Sequence, residues 1–452
     1  MASLITPLLS VAPTRALVDE KFKVRVKNLP AGLPFTLHSL HLSEDNDYWE
    51  AFGHYISNYN GTVCGMFIET VNLCSNVKCC LMLLYLKYES LVSEHLSLGG
   101  TYTGKEPMGL LWSLRPVPGS RKGLRLRKKN VSSPLLYTIS VYSGHLTEGF
   151  RDQAPLASVV TERWYMAPGV QRISIKENIV RGTMFLPPGP GPFPGLLDMW
   201  GGGGGLVEYR AVILASHGYA AFALEYINPG EMATAELEIE YFETAFNIVK
   251  DHPRVIPNKV GIFGLSFGAT VAFYLASESN VVKPRCCVCI NGHTIFSRGK
   301  SFAEQSGEML RNAHLIRIDE DDNHMWRNLF LSRDNTLDME KINCPVLLVC
   351  GEDDQNVPSV EIADDIERTM HAAGKGHLLT RINYPGAGHL IEVPYAPHFR
   401  VTAFMQSRTQ KIMMLWGGQT KPHSDAQEDS WKKILDYLEH HLFSSPSLES
   451  KL

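Results

Sequence analysis

The stretch Gly264-Leu265-Ser266-Phe267-Gly268 constrains this chain more than any other. The apolar run Val260-Gly261-Ile262-Phe263 leads straight into it, and small and apolar residues at helical spacing follow from Phe267 to Ser277. A serine between two glycines at such a junction predicts a sharp strand-to-helix turn that lifts its hydroxyl clear of a sheet. The glycines are needed because a side chain there would collide with the neighbouring strand or helix. Three fixed positions alone recur by chance about once in 8,000 windows, so the strand before and the helix after carry the assignment.

Chain order supplies partners for the serine. Gly351-Glu352-Asp353-Asp354 follows the strand-like run Val346 to Cys350, and Gly386-Ala387-Gly388-His389 follows the run Leu378 to Ile382. Ser, then Asp, then His is the order found in α/β-hydrolases. A serine hydroxyl is a poor nucleophile until a base takes its proton, and an imidazole can accept and return one, so His389 is the expected base. Asp354 is the expected group that holds the imidazole tautomer, with Asp353 its competitor, because neighbours leaving a strand point to different sides. Acyl transfer also needs donors for an oxyanion. The backbone N–H of Phe267 is one; Gly201 or Gly202 is expected to give the second, from the five consecutive glycines Gly201 to Gly205 between the strand ending Asp198-Met199-Trp200 and a helix opening at Leu206. As a dinucleotide or phosphate loop the glycine run lacks a following lysine and, Glu225 apart, an acidic residue capping a second strand. His293, after the strand Cys286 to Ile290, falls on the same catalytic edge and is a candidate for touching substrate. His217, His371, His377, His440 and His441 read as helix-end or surface residues.

The rest of the chain divides by rhythm. From Val11 to about Pro155 short alternating segments such as Phe22 to Val26 and Tyr137 to Val141 predict an antiparallel β-sandwich. After Tyr165 strands alternate with amphipathic helices, which predicts a mostly parallel sheet covered on both faces, an α/β architecture. The expected strands are Ile173 to Ile175, Gly182 to Leu186, Gly195 to Met199, Ala220 to Glu225, Val260 to Phe263, Cys286 to Ile290, Val346 to Cys350 and Leu378 to Ile382. The expected helices are Leu206 to Ser216, Ala233 to Lys250, Phe267 to Ser277, Val360 to Ala373 and Ser430 to His441. The charged stretch Phe296 to Asn335 interrupts this alternation where a cap over the site is expected. The domains expected are therefore 1–160, a sandwich with an apolar Cys-rich insert at about 60–89; 161–443, the catalytic domain; and a tail, 444–452. The insert, including Leu81 to Leu86, is too short for a membrane span, which needs about 20 apolar residues.

A formal net charge of -4 offers no field for nucleic acid. Nine cysteines, an odd number with Cys79-Cys80 and Cys286-Cys287-Cys289 crowded together, fit free thiols of a reducing compartment. No Cys-x-x-Cys accompanies a matching His pair, so no metal is expected. The apolar stretch Leu4 to Ala12 lacks a basic lead and is interrupted by Pro7, which argues against a signal peptide; one Arg and no acid before Asp19 leaves a mitochondrial transit peptide open. Ser450-Lys451-Leu452 reads as an address for the peroxisomal import receptor. Peroxisome is the expected location, with cytosol and mitochondrion as alternatives.

Several further stretches go beyond a generic hydrolase. Lys105 to Trp112 (KEPMGLLW), Arg181 to Pro188 (RGTMFLPP), Gly191 to Gly195 (GPFPG) and Gly388 to Glu392 (GHLIE) resemble the type I acyl-CoA thioesterase and bile acid-CoA:amino acid N-acyltransferase family. The resemblance covers nearly the whole chain except the insert and the tail. It implies an N-terminal immunoglobulin-like sandwich, a C-terminal α/β-hydrolase domain, a triad on Ser266, Asp354 and His389, an acyl-CoA substrate, and no metal or organic cofactor. The amino acid conjugating branch typically carries cysteine where this chain has Ser266, so the resemblance implies the thioesterase branch: hydrolysis of fatty acyl-CoA to free acid and CoA. The alternatives are conjugation of bile or fatty acyl groups to glycine or taurine, and a paralogue without catalysis. Two departures stand out. The family's elbow usually reads Ser-Lys-Gly-Gly whereas here it is Ser266-Phe267-Gly268-Ala269, and the insert has no family counterpart.

Overall fold

The structure is a computed structural model that describes residues 6–58, 63–64, 96–226, 238–296, 304–305, 307, 311–331, 335–406 and 410–443. Ser450-Lys451-Leu452 and nearly all of the Cys-rich insert lie outside the described residues. The chain forms two compact units: Met1–Ser120 with Ser133–Trp164 and Tyr395–Pro397, and Arg121–Ser132 with Tyr165–Pro394 and His398–Leu452. A single boundary near residue 160 does not describe this division. Residues 121–132 belong with the second unit, where Gly123 C=O accepts the Ala403 N–H at 3.0 Å and Arg125 pairs with Glu392. So short an exchange leaves no trace in hydrophobic periodicity.

Among the described residues the first unit holds two sheets. Strands β1 (Leu8–Ala12), β3 (Lys23–Lys27) and β6 (Val63–Cys64) form one; β2 (Arg15–Leu17), β9 (Ala157–Trp164), β8 (Leu135–Ser143), β4 (Pro34–Leu42), β5 (Tyr48–Ile56) and β7 (Arg115–Pro116) form the other, in that order. All pairs are antiparallel except β2 with β9. Alternation in sequence becomes alternation in burial: Val24 and Val26 of β3 turn inward between exposed Lys23, Arg25 and Lys27. A four-residue helix, α1 (Gly109–Trp112), lies wholly buried in the same unit.

The second unit is built on an eight-stranded sheet. Its order is β10 (Gln171–Glu177), β11 (Val180–Leu186), β13 (Ala220–Glu225), β12 (Phe193–Met199), β14 (Val255–Leu265), β15 (Cys287–Ile290), β18 (Val346–Gly351) and β19 (Leu379–Tyr384). β10, β11 and β13 pair antiparallel; from β13 onward every pairing is parallel. The central strands, with Leu196, Leu197, Ile262, Phe263, Val288 and Val349 all buried, are apolar on both faces as a parallel sheet between helix layers must be. Helices α2 (Tyr209–Ser216), α3 (Ile239–Lys250), α4 (Phe267–Ser277), α5 (Ser359–Ala372) and α6 (Thr420–Leu438) supply the layers. With the sandwich this is the α/β-hydrolase architecture expected.

Further features differ from the sequence expectation. α2 starts at Tyr209 rather than Leu206, because Gly205 first bridges to Tyr226. α6 starts at Thr420 rather than Ser430; Pro422 sits in its first turn, where the missing N–H would have had no partner within the helix. A four-stranded sheet, β16 (Arg317–Ile318), β17 (Asn323–Met325), β21 (Lys411–Leu415) and β20 (Val401–Met405), was not expected, and it draws in part of the charged stretch read as a cap.

One buried ion pair anchors the helix after the glycine loop to the strand before it. Arg210 Nε donates to Asp198 Oδ1 at 2.6 Å, with side-chain exposures of 3% and 0%. Arg210 Nη2 also donates to Met199 C=O at 2.7 Å, and the guanidinium lies 4.0 Å from the Phe263 ring centre. Arg210→Ala would leave the carboxylate buried without its partner, and should destabilise the fold by about 3–5 kcal/mol, read as a lower urea midpoint.

Candidate active site

Four loops leave the carboxyl ends of neighbouring strands and carry the residues of interest: Gly201 after β12, Ser266 after β14, Asp354 after β18 and His389 after β19. In a parallel sheet this edge is where ligands bind. Ser266 stands at the junction of β14 and α4 with φ 57° and ψ -121°, a backbone state that a residue with a side chain adopts only under strain. Surrounding contacts impose it. Ser266 N–H donates to Ile290 C=O at 2.8 Å, and Gly268 N–H donates to Trp200 C=O at 2.9 Å. A Cβ on Gly268 would stand 2.5 Å from Met199 C=O, so only glycine lets helix and strand approach this closely. The hydroxyl is therefore held at the positive end of α4, beside the backbone N–H of Phe267.

The glycine run closes on this serine. A Cβ on Gly201 would lie 3.5 Å from Ser266 Oγ, and one on Gly202 would lie 4.0 Å from Phe267 Cβ. Trp200 C=O accepts both Gly268 N–H and the Tyr226 hydroxyl. Those two bonds fix the Trp200–Gly201 peptide plane, and with it the direction of the Gly201 N–H.

His389 Nδ1 donates to Asp354 Oδ2 at 2.7 Å, with side-chain exposures of 1% and 0%. The carboxylate is held on every side. Its Oδ1 accepts Asn356 N–H and Val357 N–H, each at 2.8 Å, and its Oδ2 also accepts the Ser359 hydroxyl at 2.6 Å. With its proton committed to Asp354, the neutral His389 ring presents Nε2 as an acceptor. Asp353 turns the other way: Oδ2 accepts Gly418 N–H at 2.9 Å and Arg400 Nη1 at 3.2 Å. Among the described residues no hydrogen bond joins Ser266 Oγ to His389; such bonds commonly tighten only with substrate in place.

β14 and β19 are three strands apart, about 14 Å at ordinary sheet spacing, so His389 has to be carried back over the edge. Asn291, at the end of the intervening β15, does much of this. Its Nδ2 donates to His389 C=O at 2.7 Å and Gly388 C=O at 3.2 Å, while its Oδ1 accepts Gly351 N–H at 2.8 Å. His389 N–H donates to Trp416 C=O at 2.9 Å, and the two rings stack at 5.6 Å. His423 holds the same loop from α6. Beyond it, Glu392 accepts the Tyr209 hydroxyl at 2.9 Å and pairs with Arg125. Asn291, His423 and Arg125 had no motif to announce them, and Glu392, the last residue of the GHLIE stretch, was not singled out.

His293, flagged by its position, stacks on Phe330 at 4.4 Å, and its backbone N–H donates to Thr270 Oγ1 at 3.2 Å. Desolvation, with a smaller contribution from the charge of His389, lowers its pKa to about 3. His217 is the C-cap of α2, and His371, His377 and His440 are exposed. Among the described residues no group of three or more His, Cys, Asp or Glu could hold a metal ion. Cys286, Cys287, Cys289, Cys344 and Cys350 are buried free thiols.

His423 also gives the fold a pH dependence. It is 1% exposed, and burial first, then the charge of His398, lowers its pKa from 6.5 to about 3. The unfolded chain therefore takes up a proton below pH 6.5 that the native state refuses, so this contribution to stability falls as pH drops from about 6.5 towards 3. From His423 alone the protein should be about 1.4 kcal/mol less stable at pH 5.5 than at pH 7.5, measured by urea unfolding. His423→Phe should flatten that dependence.

Comparisons with known proteins cover both units. Residues 237–444 match the family model described as BAAT / Acyl-CoA thioester hydrolase C terminal, and residues 19–64 and 91–177 match the Acyl-CoA thioester hydrolase/BAAT N-terminal region. The break between the two N-terminal segments falls on the Cys-rich insert. The chain is 35% identical to a peroxisomal succinyl-coenzyme A thioesterase of Mus musculus over 98% of each chain. It is 33% identical to a bile acid-CoA:amino acid N-acyltransferase of Homo sapiens over 98% of this chain and 99% of that one. It is 32% identical to acyl-coenzyme A thioesterase 1 of Mus musculus over 95% of each. Among solved structures, an α/β hydrolase enzyme from a Medee basin deep-sea metagenome library aligns at a TM-score of 0.41 and 15% identity, covering 62% of this chain and all of that one.

Proposed function

The chain belongs to the acyl-CoA thioester hydrolase/BAAT family, and we propose that it hydrolyses fatty acyl-CoA to free fatty acid and CoA through Ser266, His389 and Asp354. The observation that carries this reading is the buried His389–Asp354 pair on the sheet edge that also bears Ser266 in its strained turn. His389 Nε2 takes the hydroxyl proton as Ser266 Oγ attacks the thioester carbonyl. The oxyanion that forms is met by Phe267 N–H and by Gly201 or Gly202 N–H. Collapse breaks the C–S bond, and CoA leaves as a thiol on receiving the proton from His389. Water then repeats the sequence on the acyl-serine ester, releasing the acid and restoring Ser266.

The relatives include N-acyltransferases as well as thioesterases, so transfer to glycine or taurine is the second reading. The oxygen nucleophile favours hydrolysis: an oxygen ester is less reactive towards an amine than the thioester a cysteine would form, and His389 can activate water against it. Incubation with acyl-CoA, with and without glycine and taurine, separates the readings. Free acid should dominate in both arms, whereas N-acyl product dominating in the presence of the amines would replace hydrolysis with conjugation.

Peroxisomal residence is supported by Ser450-Lys451-Leu452 and by a relative named as peroxisomal. An amino-terminal fluorescent fusion should be punctate in cells and become diffuse when these three residues are removed. A fusion diffuse from the start would leave the cytosol as the reading; a mitochondrial pattern would favour the mitochondrion.

A further inference from the structure

The loop bearing His389 has no regular secondary structure, yet its backbone polar groups are matched one by one. Trp416 C=O takes His389 N–H, and Asn291 takes the carbonyls of Gly388 and His389. The remaining pair goes to one side chain. His423 Nδ1 accepts Gly388 N–H at 3.0 Å, and His423 Nε2 donates to Leu390 C=O at 2.9 Å. One imidazole thus binds the residues immediately before and after the proposed base. We propose that His423 is a positioning residue for His389, a neutral two-point splint that sets the direction of His389 Nε2. The proposal rests on His389 being the base.

The chemistry of the ring leaves a single state that fits. Gly388 offers a donor and Leu390 an acceptor, so Nδ1 must be bare and Nε2 must carry the proton. An imidazolium would present an N–H to an N–H at Gly388. The surroundings hold the neutral form in place: the side chain is 1% exposed, and His398 lies with its ring centre 4.5 Å away. His398 is itself engaged, its Nε2 donating to Gly417 C=O at 2.9 Å. There is also no slack. A Cβ on Gly418 would stand 3.1 Å from His423 Nδ1 and 2.8 Å from Gly388 N, so the segment after Trp416 packs backbone to ring. Gly417 bridges in turn to Asp354, which ties the acid, the base and the splint to one short segment. A shift of the Gly388 peptide, which leads directly into His389, has no compensating partner, and it rotates the imidazole about its bond to Asp354.

His423→Phe keeps the ring and removes both bonds. His423→Asn keeps an acceptor near the Nδ1 position and so restores the Gly388 bond alone. His423→Phe should lower kcat on the order of 10–100-fold with KM for acyl-CoA unchanged, the size expected when a reacting group is misplaced by about an ångström. The rate at which a fluorophosphonate labels Ser266 should fall by the same factor. His423→Asn should recover most of both losses. A folded His423→Phe enzyme with wild-type kcat and labelling rate overturns the proposal, as does an equal loss in both variants. If His423→Phe does not fold, His423→Asn decides: retention of most of the activity supports the splint, and a loss of 10-fold or more in a folded enzyme overturns it. Labelling needs an activated serine and no acyl-CoA, so it reads the role of His423 even if the wild-type enzyme fails to hydrolyse acyl-CoA.

Discussion

Ser266→Ala lowers kcat for acyl-CoA hydrolysis by about 10³–10⁶-fold and leaves the melting temperature and KM close to wild type. The size follows from the role: with the hydroxyl gone no acyl-enzyme forms, and only the oxyanion donors and substrate binding remain to accelerate attack by water. The small effect on the fold follows from the structure. Ser266 makes no side-chain cap bond to α4, and its positive φ is imposed by backbone contacts with Ile290 and by the packing of Gly268 on Trp200, none of which uses the hydroxyl. Steady-state kinetics beside a thermal melt check both halves.

Asp354→Asn should cost about 10³–10⁴-fold in kcat, for a different reason. Asp354 Oδ1 accepts two backbone amides, and an asparagine oxygen placed there keeps both. That choice puts the NH2 group where Oδ2 now faces His389 Nδ1 and the Ser359 hydroxyl. His389 must then turn its bare nitrogen to the amide, which leaves the proton on Nε2, and a protonated Nε2 cannot take the serine proton. Asp353→Asn is the control. Its carboxylate faces Gly418 and Arg400 instead, so kcat should change only a few-fold. Equal losses in the two variants would reassign the acid.

These contrasts mirror what was legible in the sequence. The turn at Ser266 could be read because a strand, a glycine-flanked serine and a helix are local patterns. His389 and Asp354 could be located because each follows an apolar strand in the expected chain order, although spacing alone left Asp353 open; it is Asp354 that pairs with His389. The glycine run was legible as the loop between a strand and a helix. Asn291 and His423 were not, since their partners lie 98 and 35 residues away and a side chain bonding to distant backbone leaves no periodic signal. The same applies to Arg125, whose acceptor Glu392 is 267 residues on. The early start of α6 was hidden by Pro422, which reads as a helix breaker unless its place in the first turn is known. The β20–β21 pair was hidden by its shortness: five residues on each side carry little periodicity, and the pairing is completed by β17 from far upstream.

The altered elbow adds one local point. Phe267 stands where the resembling family usually carries lysine, and its ring packs 6.0 Å from Tyr226 and 6.4 Å from Phe242. An apolar side chain that joins an aromatic cluster is not free to meet a phosphate. Any contact to the CoA phosphates must therefore come from other residues than the one after the nucleophile.

The proposed chemistry stands on Ser266, activated by His389, being the group that opens the thioester. Titration with a fluorophosphonate, followed by peptide mass spectrometry and a parallel acyl-CoA hydrolysis assay, tests it most directly. The expected result is a stoichiometric adduct on Ser266, formed in step with the loss of hydrolysis and absent from Ser266→Ala. Full hydrolysis by enzyme already modified at Ser266, or inactivation with the adduct on another residue, would contradict it.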